Sequence, residues 1–183
     1  MTSPRRRADA EQNRARIIEA ARSHIVASND FKLNEIAKAA GVGQRTLYRH
    51  FESRGALLAE VYRADVDALV AAAPKLLAQH PPAVGLARWF REVAKYAKVK
   101  RGVFTAVTSL ARTDLAGTSE SRIGDAIAMM LDAGKTAGQI RSDADARDVL
   151  LLLGCLTRLD ESEWDTRADH LLNVILDGLR HHV

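Results

Sequence analysis

The chain has 183 residues, of which 47% are hydrophobic and only 5% aromatic, and its formal net charge at pH 7 is +4. A chain of this length can bury a sizeable core in one or two compact units. Alanine and leucine dominate and no long Val/Ile/Thr alternation occurs, so the composition predicts an all-α fold. No run of about 18 apolar residues is present, so no membrane span is predicted. The single cysteine excludes an internal disulfide and a multi-cysteine zinc cluster, which fits a reducing cytoplasm.

The excess positive charge lies in the first third of the chain. Residues 1–60 hold 11 Lys/Arg and 7 Asp/Glu, whereas residues 61–183 hold 16 of each kind. Binding to nucleic acid requires a basic segment that neutralises phosphates, although such segments also serve solubility alone. The asymmetry therefore supports a nucleic-acid partner without proving one.

The chain begins with residues 1–8, which carry Pro4 and three consecutive arginines without apolar periodicity. This pattern predicts a disordered basic arm. The arm either reaches the DNA backbone or minor groove, or is an ordinary solvated tail. It lacks the apolar segment of a secretion signal, so secretion is not expected.

Three helices are predicted between residues 9 and 54. Ile17, Ala21 and Ile25 recur every four residues and predict a first helix to about residue 27. Two short helices then follow between residues 33 and 51, separated by Gly41. Glycine readily takes the positive φ that ends a helix and redirects the chain. Helix, tight turn and helix is the layout of a helix-turn-helix, whose second helix enters the DNA major groove.

The second short helix has two different sides. At about 100° per residue, Leu47 and Phe51 share one side, while Arg45 and Arg49 lie nearly opposite them. Guanidinium groups match guanine edges or phosphates, and the flanking Tyr and Thr hydroxyls suit phosphate oxygens. An ordinary solvated helix face carries similar charges. The glycine turn before this helix favours the DNA-binding interpretation.

The run IAKAAGVGQRTLYRHFESRGALL, residues 36–58, combines several marks at fixed spacing, among them Ala40-Gly41-Val42, Thr46-Leu47-Tyr48 and His50-Phe51. In this run the chain resembles the DNA-binding region of the TetR/AcrR family of bacterial transcriptional regulators. The resemblance implies that some residues contact base edges, namely Gln44, Arg45, Thr46 and Arg49. It implies that others bind phosphates, namely Tyr48, His50 and Arg54.

One position departs from the family pattern. Lys32 stands where the family usually has Thr or Ser to cap the first short helix. A lysine cannot accept hydrogen bonds from backbone N–H groups, although Glu35 retains half of a capping box. Lys32 itself is a candidate phosphate ligand.

Residues 55–183 are predicted to form a helical effector-binding and dimerisation domain. Its first helix starts near Ser53 and is expected to kink or end at Pro74, because proline disrupts a helix interior. Pro81-Pro82 marks a clear break, and the charged stretch 98–102 marks another. Further helices are predicted at residues 84–98, 103–111, 118–138, 145–157 and 164–180.

Aromatic, aliphatic and a few polar residues on the middle helices are of the kind that line small-molecule sites. They are Tyr62, Trp89, Phe90, Val93, Phe104, Val107, Thr108 and Met130. A stripe of methionine and aromatic residues more often belongs to an ordinary core, and this holds for each of these residues taken singly. The family resemblance implies a ligand cavity among these helices, without naming its walls or its ligand.

The segment 149–156 is apolar on almost every side and therefore has to be buried on every side. It lies near the end of the chain, so a second copy is the expected cover, with two helices from each copy forming a four-helix bundle. The predicted interface residues are Leu150, Leu153, Leu172, Ile175, Leu176 and Leu179. Alternatively, both helices complete the core of a monomer.

Together with these patterns, the family resemblance implies a cytoplasmic repressor that binds a palindromic operator in double-stranded DNA as a homodimer and is released by a small-molecule effector. The alternative is a DNA-binding architectural protein without effector control. The sequence contains no H-E-x-x-H, G-x-S-x-G or phosphate-loop motif, so no enzyme activity, cofactor or metal site is predicted. Cys155 is flanked by leucines and is expected to be an inert thiol, not a redox sensor.

Overall fold

The computed structural model describes residues 4–27, 31–106 and 109–180, and in these ranges the chain is helical without a strand. The helices are α1 (Pro4–Ala27), α2 (Leu33–Ala39), α3 (Gln44–His50), α4 (Arg54–Gln79), α5 (Pro82–Ala106), α6 (Ser109–Thr136), α7 (Ala146–Leu153) and α8 (Glu161–Leu179). A short 3-10 helix, Gly154–Arg158, separates α7 from α8. The all-α prediction is confirmed.

Chain contacts divide the protein into two compact units. The first unit comprises Met1–Ala64 and Val99–Arg112, and the second comprises Asp65–Lys98 and Thr113–Val183. The division falls inside α4, ten residues beyond the predicted boundary at residue 54. The functional domain limits of 9–54 and 55–183 stay a prediction.

In the first unit, the apolar stripe of α1 forms the centre of the core. Ile17 and Ala21 are fully buried, and the core also holds Ile36 of α2 and Leu47 of α3. Phe51, the residue after α3, is 4% exposed. The three short elements thus enclose one apolar interior, as the periodicity of the sequence predicts.

In the second unit, Trp89 anchors the core. Its side chain is fully buried, and its Nε1–H donates a hydrogen bond to the carbonyl oxygen of Leu69 at 2.9 Å. A buried indole needs such a partner, because an unpaired N–H in an apolar interior is costly. The bond fixes α5 against the second half of α4.

Three predicted breaks are wrong. α4 does not end at Pro74, because this residue is exposed and is preceded by three alanines with high helix propensity. The other expectation, a kink at Pro74, stays a prediction. α6 runs through residues 112–117, between the predicted helices 103–111 and 118–138, because this stretch contains good helix formers such as Leu115 and Ala116. α5 continues through the charged stretch 98–102, because Lys and Arg are good helix formers and Val99 extends the buried stripe. The start of α1 also differs from the predicted disordered arm. Residues 4–8 are helical, since proline suits the first turn of a helix, while residues 1–3 lie outside the described ranges.

The end of α6 is closely packed. Gly138 has φ +66°, and both Gln139 and Ile140 donate their N–H groups to the carbonyl of Gly134. These bonds end the helix at a left-handed glycine, as predicted. Ile140 is 4% exposed and covers Gly134 so closely that an added Cβ would lie 2.3 Å from Ile140 Cγ1.

We expect Gly134→Ala to lower the free energy of unfolding by about 1–3 kcal/mol, because the methyl group overpacks this contact. Gly124→Ala, in the same helix, is the matched control. An added Cβ there meets no atom within 4 Å, and alanine is expected to stabilise the helix by about 0.5–1 kcal/mol. Urea unfolding followed by circular dichroism measures both changes. Equal stabilities of the two variants would contradict the close packing at Gly134.

Candidate nucleic-acid interface

The turn between α2 and α3 has the predicted geometry. Gly41 has φ +64°, a conformation that side chains other than hydrogen disfavour. The N–H of Val42 donates to the carbonyl of Ala37 at 3.0 Å and closes the turn. α3 then starts after Gly43, whose carbonyl accepts from Thr46 and Leu47. The turn sets the direction of α3 relative to α2.

α3 has one buried side and one exposed side. Leu47 is 1% exposed, whereas Tyr48 is 49% exposed and Gln44, Arg45 and Arg49 are exposed as well. Thr46 is half-buried. The predicted polarity of the helix is confirmed. The base and phosphate contacts of these residues stay a prediction.

The start of α2 lacks an ordinary cap. Lys32 is exposed and has no acceptor to offer, but the carboxylate of Glu35 accepts the backbone N–H of Lys32 at 3.0 Å. The predicted half of a capping box is therefore present. The Lys32 side chain lies on the surface, where a phosphate contact is sterically open to it.

His50, at the end of α3, is half-buried, and its Nε2 has no hydrogen-bond partner among the described residues. Burial, followed by the positive charges of Arg49 and Arg14, lowers the pKa of His50 below its ordinary value of 6.5. The neutral imidazole therefore predominates at pH 7. A phosphate oxygen beside it would favour the charged form and reverse this shift.

We expect DNA binding to strengthen as the pH falls from 7 towards and through 6.5, because a phosphate oxygen placed beside His50 would raise its pKa and make the complex take up a proton. The stability of the free protein changes with pH in the opposite direction. The contribution of neutral His50 to the free energy of unfolding is present above pH 6.5. It is lost as the pH falls through the lowered pKa that His50 has in the folded protein. Fluorescence anisotropy across this pH range, with His50→Gln as the comparison, measures the effect. Identical pH profiles of the two proteins would rule out a titrating contact at His50.

Arg54, at the start of α4, has a contact that the sequence did not predict. Its guanidinium carbon lies 4.5 Å from the ring centre of Phe31, and its side chain is half-buried. The cation–π contact joins α4 to the segment that precedes α2. Ser53 caps α4 as predicted, since its hydroxyl oxygen accepts the N–H of Ala56 at 3.1 Å.

Sequence reasoning also missed Arg14 of α1. Its Nη2 lies 2.7 Å from Oε1 of Glu60 on α4, and its guanidinium carbon lies 5.5 Å from the ring centre of Phe51. The only indication of this role in the sequence is the position of Arg14 relative to the apolar stripe of α1. Arg14 precedes Ile18 by four residues, so a helix places this cation in line with the apolar stripe.

The predicted ligand-pocket residues are distributed over both units. In the second unit Trp89, Phe90, Val93 and Met130 are buried, and in the first unit Tyr62 is buried. Val107 and Thr108, and the side chain of Phe104, lie outside the described part of the chain. A cavity lined by these residues stays a prediction.

Four of the six predicted dimer residues are core residues of the second unit, which leaves them little surface for a partner. These are Leu153, Leu172, Ile175 and Leu179, while Leu150 and Leu176 are half-buried. Among the described residues of α7 and α8, the exposed large apolar side chains are instead Leu151, Leu152 and Val174, at 61%, 52% and 55% exposure. We call these three the C-terminal apolar patch. Leu152 and Val174 also line a groove of about 380 Å³ between α7 and α8.

Two other kinds of site are absent from the described residues. Within residues 4–27, 31–106 and 109–180, no helix is long and apolar enough to cross a bilayer. The same part of the chain holds no group of three or more His, Cys, Asp or Glu side chains placed to bind a metal ion. Burial raises the pKa of the half-buried Cys155 thiol, which disfavours the reactive thiolate.

Two sequence families match the chain. The family described as "Transcriptional regulator SbtR-like, C-terminal domain" matches residues 81–181, which is more than half of the chain. The family described as "Bacterial regulatory proteins, tetR family" matches residues 17–61, which include α2 and α3.

Solved structures match over nearly the whole chain. A TetR transcriptional regulator from Streptomyces coelicolor is 36% identical with a TM-score of 0.82, over 93% of this chain and 99% of that chain. A TetR transcription regulatory protein from Mycobacterium vanbaalenii is 31% identical with a TM-score of 0.77, over 95% and 98%. An HTH-type transcriptional regulator of Staphylococcus aureus is 34% identical over 79 residues, 42% of this chain. This chain spans only 41% of that curated relative's length.

Proposed function

Since the chain belongs to the TetR family of bacterial transcriptional regulators, we propose that it is a one-component repressor. In this proposal a homodimer binds a palindromic operator and leaves it when a small molecule binds. The observation that carries the proposal is the two-sided α3, which buries Leu47 and exposes Arg45 and Arg49. A short helix with this division, held by a glycine turn, is suited to the major groove.

The exposed residues of α3 divide into two roles. Gln44, Arg45, Thr46 and Arg49 are proposed to contact base edges, because amide and guanidinium groups match adenine and guanine in the major groove. Tyr48, His50 and Lys32 are proposed to bind phosphates and thereby set the position of the helix. Arg54 is proposed to reach a phosphate from its stacked position over Phe31.

The C-terminal apolar patch supports the homodimer. Exposed leucine and valine side chains on neighbouring helices are energetically unfavourable in water, and a second copy would cover them. The half-buried Leu150 and Leu176 are proposed to lie at the margin of the same interface. Twofold symmetry then presents two recognition helices to half-sites about 34–36 Å apart or a little more.

Membership of the TetR family supports a small-molecule effector, and its site is proposed to lie among the buried aromatic residues of the second unit. Such a ligand can release DNA only if its affinity differs between the DNA-binding conformation and another one. α4 is a continuous helix that belongs to both units, so a displacement of its second half is transmitted along the helix axis to its first half. Effector control is proposed to act through this helix.

Selection from a randomised pool of DNA duplexes tests the operator. We expect the purified protein to enrich an inverted repeat and to bind it as a dimer in a mobility-shift assay at fixed salt. Recovery of unrelated sequences by a monomeric protein would refute the proposal. Genomic fragments recovered in the same way would also identify the regulated genes.

A thermal-shift screen tests effector control with hydrophobic and cationic small molecules. We expect at least one compound to raise the melting temperature and to lower the affinity for the selected duplex. A compound that stabilises the protein without changing DNA affinity is not an effector. If no stabilising compound affects DNA binding, an architectural DNA-binding protein becomes the better description.

A further inference from the structure

Arg14 contacts both α4 and the residue that follows α3. These two elements have to move together if a movement of α4 is to change DNA recognition. Its Nη2 lies 2.7 Å from Oε1 of Glu60 on α4. Its guanidinium carbon lies 5.5 Å from the ring centre of Phe51. Phe51 follows α3 directly, is 4% exposed, and donates its N–H to the carbonyl of Leu47 at 2.9 Å. One side chain thus joins α1, the end of the recognition helix, and α4.

Glu60 has a second cationic partner with a different role. Nη1 of Arg63 lies 2.5 Å from Glu60 Oε2, but Arg63 is three residues further along the same helix. That ion pair therefore lies within one helix and links no second element. The side chains of Arg14 and Glu60 are 42% and 21% exposed, so their pair is partly shielded from water. Shielding strengthens an ion pair relative to a fully solvated one.

The planar guanidinium suits Arg14 to this double contact. One face of the group stacks on an aromatic ring while its edge nitrogens remain free to bind a carboxylate, which an ammonium cannot reproduce. A displacement of α4 away from α1 therefore either breaks the pair with Glu60 or draws Arg14 off Phe51. In the first case the end of α3 loses its link to α4, and in the second case it loses its contact with Arg14.

We propose that Arg14 is a positioning residue for DNA recognition, which holds the C-terminal end of α3 against α4. The proposal rests on the repressor function proposed above and deepens it, because it assigns the contact through which movement of α4 reaches the recognition helix. The competing role for a surface arginine beside α3 is direct binding to a phosphate. The two roles give different results for the same variants.

The DNA test compares Arg14→Ala, Arg14→Lys and the matched control Arg63→Ala on the duplex recovered by selection. If Arg14 positions α3, both Arg14 variants bind that duplex about fivefold more weakly. Lysine does not rescue binding, because an ammonium cannot contact the Phe51 ring and the Glu60 carboxylate together as a guanidinium does. The affinity of both variants for a non-specific duplex of equal length, and the slope of log K against log salt, remain those of the wild type. Arg63→Ala stays within about twofold, because it removes an equal charge but no link between helices.

Two outcomes of this test overturn the proposal. One is a wild-type affinity for Arg14→Lys together with a salt slope about one unit shallower for Arg14→Ala, which identifies a phosphate contact. The other is an Arg14→Ala variant that binds the selected duplex as tightly as the wild type.

Amide hydrogen exchange on the free protein gives a test that needs no operator. Both Arg14 variants are expected to raise exchange at the Phe51 amide about fivefold. The amide of Ala40, the residue after α2, donates to the carbonyl of Ile36 at 2.9 Å and is expected to keep its wild-type rate. Arg63→Ala is expected to change neither amide. Unchanged exchange at Phe51, or an equal rise at both amides, overturns the positioning role. If the selection recovers no inverted repeat, the repressor proposal fails while this measurement still decides the role of Arg14.

Discussion

Replacing Arg45 with alanine is expected to weaken binding to the selected operator by about 10- to 100-fold, because a guanidinium that reads a base edge contributes about 1–3 kcal/mol. Arg45 is exposed on the side of α3 opposite the buried Leu47. Its removal therefore leaves the fold of the first unit intact. Tyr48→Ala, on the same helix, is expected to weaken binding as well, but without changing which sequence is preferred.

Arg63→Ala is the charge-matched control for this experiment, since Arg63 is an exposed arginine of the same unit that pairs with Glu60. Anisotropy titrations at one salt concentration give the affinities, and a repeated selection shows whether Arg45→Ala relaxes the preference at one base pair of each half-site. Dimer mass and helicity should equal those of the wild type. If neither Arg45→Ala nor Tyr48→Ala reduces binding more than Arg63→Ala does, the assigned DNA-binding face is wrong.

Leu152→Glu is expected to convert the proposed homodimer to a monomer at micromolar concentration. Leu152 is 52% exposed in the single chain. Because a carboxylate buried without a partner at an apolar interface costs several kcal/mol, the dissociation constant of the dimer should rise by at least about 100-fold. Val174→Glu on α8 should act in the same way. Loss of the dimer should also abolish tight binding to the full inverted repeat, while weak binding to one half-site remains.

Val84→Glu provides the control, because Val84 is 45% exposed and lies outside the C-terminal apolar patch. The same chemical change there should leave a dimer. Sedimentation velocity gives the masses, and circular dichroism verifies that each variant is folded. A dimeric Leu152→Glu variant, or a monomeric wild type, would show that α7 and α8 do not form the interface.

The helix-turn-helix could be predicted almost completely from sequence, because local rules decide it. Gly41 ends α2 through its own conformational freedom, and the 3.6-residue period separates Leu47 from Arg45. Ser53 caps α4 by a contact with a residue three positions away. None of these features depends on a residue distant in sequence, so each can be predicted from a short stretch of the chain.

The lengths of the helices could not be predicted from single residues that disfavour a helix. Pro74 lies within α4 and the stretch 98–102 lies within α5. In both places the neighbouring residues favour helix and the buried stripe continues. The summed propensity of many residues therefore outweighs one unfavourable residue.

Contacts between residues distant in sequence could not be predicted at all. The ion pair between Arg14 and Glu60 spans 46 positions, and the Arg54–Phe31 stack spans 23. Many arginines in the chain could form such contacts. Only the packing of α4 against α1 and against the segment before α2 selects Arg14 and Arg54. The C-terminal apolar residues follow the same rule, since their hydrophobicity does not reveal which face the chain itself covers.

The sequence by itself determined the helical class, the glycine turn and the two-sided recognition helix, because each depends on backbone preference and on spacing within a few residues. Only the tertiary structure decided that Leu153 and Leu172 belong to the core while Leu151 and Leu152 remain exposed. It also decided that Arg14 joins the end of α3 to α4. The reason is that burial and long-range pairing depend on which surfaces the folded chain brings together. The identity of a residue as leucine or arginine does not show which surface it will contact.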